Sequence, residues 1–266
     1  MFKKHLSCSR LILASYFFSA NNYASSLEVM TSLYHFNYKE FDTTGELLDK
    51  ETGFIPGIKL QYSTSLKHDE ISLYMSIHDG QVDYIGETQN GTPHRTRTNQ
   101  QLFKAGVQLK SRKSSVFPAR LLFSYTYNIW DRDILTTHNV LGLHERYTWD
   151  EFSLGLNFQG DINSNSFYWA DFSTLLIYDP KMLVYLENGN KTLRLGVNIG
   201  VRLLAGKTWM INNSNSFSAS LSTEYFEFGR SNSIFTDDFF GQSVFITEPR
   251  SESFHSSMNI AYSYHF

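Results

Sequence analysis

Asp131, Asp133, His138 and His144 fall close together in the chain, and Asp237 and Asp238 add two carboxylates further on. An imidazole beside a carboxylate can take and return a proton, so an Asp–His pair holding a water could hydrolyse a bound substrate. These six residues are the candidates for catalysis, but none sits in a motif that fixes its partner. The sequence has no glycine-rich phosphate loop, no serine nucleophile elbow and no repeat array. Of the nine histidines, His35, His68, His78, His94, His255 and His265 are scattered, without a His-x-His or His-x-x-x-His pair. Asp42 to Asp49 (DTTGELLD) matches a Ca²⁺ loop only loosely. Neither a metal site nor a cofactor is expected.

A second group carries charge where charge is expensive. Arg132, Glu145, Glu224, Arg230, Arg250 and Glu252 lie in or beside alternating segments and supply both signs. Charges inside a narrow protein interior must be paired or hydrated. The group is expected to form a polar network in a lumen, stiffening it as ion pairs or lining it to hold a small solute.

The elements that would position these residues are strands. Leu193, Leu195, Val197, Ile199, Val201 and Leu203 alternate with Arg194, Gly196, Asn198, Gly200 and Arg202, and Leu121 to Ile129 and Ile58 to Tyr62 repeat the pattern. Period 2 marks strands with one apolar and one polar face, and no 3.6-residue period interrupts it. Phe 22, Tyr 16 and Trp 4 favour strands further. A soluble sandwich and a membrane barrel both fit this alternation, the barrel with its apolar face on lipid.

The two ends of the chain favour the barrel. Lys3, Lys4 and Arg10 flank the apolar run Leu11 to Phe18, and Ala20 to Ser26 offers small residues for cleavage, so residues 1–24 read as a signal peptide. The run is far shorter than a membrane helix requires. Cys8, the single cysteine, precedes the apolar core and leaves with it, so residues 25–266 hold no thiol. Removal also takes three basic residues, leaving 20 basic against 26 acidic and no nucleic-acid footprint. At the other end Met258, Ile260, Tyr262, Tyr264 and Phe266 share one face, and the chain stops on an aromatic ring. Tyr262, Tyr264 and Phe266 resemble the terminal signal read by the bacterial barrel-assembly machinery.

The expectation is an all-β, antiparallel transmembrane β-barrel in one domain, residues 25–266, with about ten strands and twelve or eight as alternatives. The strands are placed at 27–41, 55–66, 69–84, 98–110, 118–131, 140–158, 166–177, 192–205, 216–230 and 251–266. Short connections fall at one end and long ones at the other. In 140–158 the apolar phase changes from odd (Leu141, Leu143) to even (Leu154, Leu156, Phe158), which a bulge near Asp150 would explain. The expected address is the outer membrane, with outer-membrane lipid and lipopolysaccharide as partners.

Asn128 to Ile134 (NIWDRDI), Gly142 to Trp149 (GLHERYTW), Glu227 to Asn232 (EFGRSN), Glu248 to Glu252 (EPRSE) and Tyr38 to Gly57 resemble a set of uncharacterised outer-membrane β-barrel proteins of Gram-negative bacteria. The resemblance implies a barrel and an outer-membrane address, and it brings no activity. The first functional expectation is therefore a barrel with a largely filled polar lumen in a structural or surface-binding role. A small solute channel is the alternative. Ten strands is also the architecture of omptin proteases, whose acids and histidine sit at the outer rim, so an omptin-like hydrolase drawing on Asp131, Asp133, His138 and His144 with Asp237 and Asp238 is the second alternative.

Overall fold

A computed structural model describes residues 25–67, 69–87, 91–112, 118–186, 189–237 and 243–266. The expected signal peptide, His68 and Asp238 lie outside the described residues, as does the side chain of Asp237. The described strands are β1 (Ser25–Phe41), β2 (Leu47–Leu66), β3 (Asp69–Glu87), β4 (Pro93–Lys110), β5 (Ala119–Ile134), β6 (Leu143–Asn163) and β7 (Ser166–Tyr185). They continue with β8 (Lys191–Arg194), β9 (Asn198–Asn212), β10 (Asn215–Phe228), β11 (Ile234–Asp237), β12 (Ser243–Ile246) and β13 (Arg250–His265). Each barrel strand pairs antiparallel with its neighbours in sequence. β13 returns to β1, with Ser26 opposite His265 and Phe41 opposite Arg250, and this closes the sheet. β8 and β9 lie end to end along β7, so ten strands make the wall. β11 and β12 form a separate hairpin in the connection between β10 and β13.

Both described termini lie at one end, where Phe266 N–H donates to the Ser25 carbonyl at 2.9 Å. Between β6 and β7, and between β9 and β10, only two residues connect the strands at this terminal end. The β4–β5 connection, 111–118, also falls at this end, and the connection that carries the β11–β12 hairpin falls at the opposite, loop end. On the terminal half, apolar residues face outward: Leu27, Val29 and Leu33 on β1, Leu121 to Ile129 at odd positions on β5, and Leu154 and Phe158 on β6. Ser124, Ser153, Ser257 and Asn259 of this half point inward. An outward apolar belt of about 9 to 11 residues per strand is the length a tilted strand needs to cross a hydrocarbon core.

On the loop half this arrangement inverts. Phe36, Tyr38, Trp130, Tyr147, Trp149, Phe226 and Phe228 are buried inside. The outward positions beside them are Lys39, Asp131, Arg146 and Glu227, so here the wall has a polar exterior and a ring-filled interior. The strands run longer than a membrane crossing needs, 21 residues in β6, because this second storey stands on top of the first.

The inversion corrects the sequence reading of β6. Residues 145, 147, 149, 151 and 153 all point inward without a phase change, and the apolar residues switch sides because the environment does. The irregularity at this height lies on β7, where Asp179 and Pro180 face the single residue Trp149, with Asp179 at φ 45°. Leu141 is exposed in the connection, whereas Leu143 packs on the ring-filled interior.

Candidate functional site

Arg132 points into the lumen from β5, at 2% exposure among the most buried side chains. Register places Glu145 of β6 directly opposite it, and the barrel's curvature brings β1 and β2 across the lumen to meet it. Its Nε donates to Glu51 at 2.8 Å, and Nη1 donates to Glu40 and to Glu145, each at 2.8 Å. Nη2 reaches Asp49 at 3.4 Å. The guanidinium carbon also sits 5.0 Å from the Tyr38 ring centre, a cation–π contact in a dry setting.

A fifth carboxyl group enters from the loop end. Glu248, just before β13, accepts from the Tyr147 hydroxyl at 2.7 Å, and the Tyr38 hydroxyl lies 3.3 Å away. Burial pushes its carboxyl well above the usual range, and the nearby Glu40 and Glu145 push it further. One guanidinium thus faces five carboxyl groups. Trp130 stacks on Tyr147 at 4.5 Å, and Tyr147 stacks on Phe228 at 5.7 Å, so rings close the space around the charges. Ile234 and Ile246 of the β11–β12 hairpin lie on this interior and cover it.

A second polar layer crosses the lumen nearer the terminal end. Lys104 of β4 meets Glu224 of β10 at 3.1 Å, and Arg202 of β9 joins Glu224 to Glu151 of β6, where its Nη2 donates at 2.7 Å. Two cations balance two carboxylates. Below this layer the lumen opens into a cavity of ≈ 740 Å³ that reaches from Lys59 and Leu204 to the terminal rim at Ser25 and Phe266.

Of the charged residues expected in the lumen, Arg132 and Glu145 belong to the first layer and Glu224 to the second. Arg250 and Glu252 do not face the lumen: they sit on the exterior wall, where Arg250 bridges Glu227 at 3.0 Å and Glu252 at 2.9 Å. Arg230 is exposed beyond the end of β10. Strand parity explains the correction, since Ser251 and Ser253 take the inward positions between them. The sequence reading missed Glu40, Asp49, Glu51, Glu151, Glu248, Lys104 and Arg202. Glu40 stood at the end of an expected strand and Asp49 and Glu51 in an expected loop; the signal available was their spacing of two, which a strand converts into one face.

Of the expected catalytic candidates whose side chains are described, Asp131 and His144 come together, on the outer face of the wall, and Asp133 and His138 do not join them. Asp131 lies on the exterior, held by Arg146 at 2.7 and 3.0 Å, while His144 Nε2 is 3.7 Å from it and half exposed. Asp133 accepts from Asn99 at 3.1 Å, and His138 is exposed on the loop. Asp42 is occupied locally: the Thr44 hydroxyl donates to it at 2.8 and 2.9 Å, and the Thr44 and Glu46 backbone amides donate as well, which holds its carboxyl below the usual range. Among the described residues no group of three His, Cys, Asp or Glu side chains is placed to hold a metal ion. Tyr262, Tyr264 and Phe266 project outward from β13 and its end, and Tyr264 stacks on Phe266 at 5.9 Å.

No family model and no curated protein matches the chain. Among solved structures, it is similar to the outer membrane protease OmpT of Escherichia coli, at 9% identity and a TM-score of 0.53, covering 92% of this chain and 97% of that one. It is also similar to the translocator domain of autotransporter NalP from Neisseria meningitidis, at 9% identity, a TM-score of 0.48 and coverage of 97% and 94%. The toluene transporter TodX of Pseudomonas putida gives 10% identity, a TM-score of 0.39 and coverage of 93% and 91%. The OmpT likeness agrees with the ten-stranded wall: the fold is that of an outer-membrane β-barrel.

Proposed function

We propose that this chain is an integral outer-membrane barrel whose filled loop half closes the lumen, so that it works as a binding or interaction protein and not as a diffusion channel. The observation that carries this reading is the plug around Arg132. Trp130, Tyr147, Phe36 and Phe228 are 0–2% exposed there, and the guanidinium is bonded across the lumen to two walls. A barrel of this strand number has an interior that side chains can fill, whereas open porins use 16 or more strands. The lipid-facing belt, the outward Tyr264 and Phe266 and the shared fold support an outer-membrane address with the terminal end toward the periplasm. Outer-membrane lipid and lipopolysaccharide are then its surroundings, and the terminal strand its handle for the assembly machinery.

The alternatives draw less support from the geometry. A small solute channel would need a path past the ring-filled storey. An omptin-like hydrolase built on Asp131 and His144 would need those groups in a cleft, but they lie on the exterior with Asp131 tied to Arg146. Liposome swelling tests the proposal: vesicles carrying the refolded barrel should shrink in hyperosmotic arabinose without recovering, as protein-free vesicles do. Rapid recovery would reject the closed-lumen reading.

A further inference from the structure

The terminal half of the lumen is built differently on its two sides. On the β2–β5 side, Lys59 and Lys110 line the cavity together with Arg120, and Lys67 and Arg112 stand at its rim. Among the described residues, the carboxylates that β2 to β5 themselves bring to these five cations are Asp69 and Glu70. Glu70 is shared between Arg120 at 3.3 Å and Lys110 at 3.9 Å, and Asp69 accepts the Arg112 backbone amide at 2.9 Å. Lys59 rests over the Tyr74 ring at 4.9 Å, and the carboxylates that act on it, Glu28 and Asp171, lie beyond ion-pair distance. This wall therefore carries excess positive charge within a low-dielectric cylinder, where field lines are focused into the space.

The facing wall, from β9 through β10 and β13, has a different chemistry. Thr208, Ser216, Ser218 and Ser263 line it, and the indole of Trp169 stands beside Thr208, donating to its hydroxyl at 3.2 Å. The other two acids lining the cavity stand between the two walls: Glu28 of β1 accepts from Ser263 at 2.9 Å, and Asp171 of β7 accepts from Asn157. A cationic wall selects an anionic group, a hydroxyl wall selects a partner rich in hydroxyls, and a ring offers a flat face to a sugar's C–H bonds. A volume of ≈ 740 Å³ falls within the usual range for a small-molecule site.

We propose that this cavity is a binding cup, entered only from the terminal end, for an acidic saccharide: a sugar carrying a phosphate or carboxylate, held by Lys59, Lys110 and Arg120 and oriented by the hydroxyl wall and Trp169. The cup deepens the closed-barrel reading, since the plug makes it blind. The two stand or fall separately, because a conducting barrel could still bind and a closed one could fail to.

The test is calorimetric titration of the refolded full barrel in detergent with glucose 6-phosphate, glucuronate, glucose, glucosamine and inorganic phosphate. Glucose 6-phosphate and glucuronate should bind and be weakened by salt, and glucose and glucosamine should bind at least about tenfold more weakly, the worth of a charge-assisted hydrogen bond. Lys59→Gln with Lys110→Gln should lower the affinity by about tenfold or more on the same grounds, while Lys59→Arg retains it. Heat-modifiable migration on gels shows which variants fold; if the double variant does not, Lys110→Gln alone is used. Inorganic phosphate binding as tightly as glucose 6-phosphate would overturn the saccharide assignment. Binding only to anionic phospholipid vesicles would overturn the cup and reassign the cations to lipid headgroups. Unchanged affinity in the folded glutamine variants would also reject it.

Discussion

Arg132 holds the loop half of the lumen together because, among the described residues, it is the one cation set among Glu40, Asp49, Glu51, Glu145 and Glu248. A buried ion pair contributes little net stability, but removing one partner leaves uncompensated charge. Arg132→Gln should therefore cost about 3 to 5 kcal/mol, read as a lower urea midpoint of the refolded barrel. Arg132→Lys should restore only part of this, because a single ammonium cannot reproduce the fork that reaches three strands and more. An unchanged midpoint in Arg132→Gln would mean that the carboxyl groups are neutral or solvated, and that the rings alone make the plug. On the exterior, Asp131→Asn should shift the midpoint by well under about 1 kcal/mol, as expected for an exposed pair with Arg146.

The segment between β10 and β13 is the element that closes the loop end, and its anchor titrates. Ser231 and Glu248 exchange backbone and side-chain hydrogen bonds at 2.8 to 3.0 Å, which brings the Glu248 carboxyl under the tyrosines. Gly196 and Gly229 pair at the foot of this segment, where a Cβ on Gly229 would come within 2.8 Å of the Gly196 backbone. Glu248 has a folded-state pKa raised above the ordinary carboxyl value near about 4.3. The folded segment thus binds the proton more tightly, and its anchoring is complete at low pH and weakens as pH rises through the raised pKa. Limited proteolysis within 229–249 should accordingly speed up as pH rises, and Glu248→Gln should flatten that dependence. Faster cleavage at low pH would contradict the assignment. At the other end of the same chain, deleting Phe266 should deplete the protein from the outer-membrane fraction, with smaller effect on the refolded barrel; normal abundance would count against an assembly role for Tyr264 and Phe266.

The terminal half of each strand was legible because lipid outside and hydroxyls inside give a clean period of two. Leu121 to Ile129 and Met258 to Phe266 are cases in point, and the strand count of ten followed. The loop half was harder to read. There the wall exchanges faces with its environment, so Tyr147 and Trp149 resemble lipid-facing rings and Arg250 resembles a lumen charge. In β2, Leu47 to Phe54 carries polar residues on both faces, and the strand extends where a loop was expected. Which charges meet depends on curvature that brings β2 to β5 across the lumen, and no local pattern encodes that approach. Glu145 was recoverable from its place in β6; its partners Glu40, Asp49 and Glu51 were not.

At the scale of the whole molecule, the barrel is two storeys with opposite solvent logic: a membrane-crossing half with a polar cup inside, and a projecting half with polar walls and a packed interior. On the closed-lumen reading, this division lets one ten-stranded wall cross the bilayer with one half while the packed half blocks solutes. On the proposed reading a ligand would enter the cup from the terminal end, and a partner would meet the plug from the loop end. Single-channel recording in planar bilayers tests this division most directly. The refolded barrel should insert without discrete conductance steps, while a folded variant with Arg132→Gly and Trp130→Gly, which removes the plug's cation and the indole beside it, should show them. Discrete steps from the unaltered barrel, with unitary size unchanged in the variant, would contradict the closed storey and make the lumen a channel.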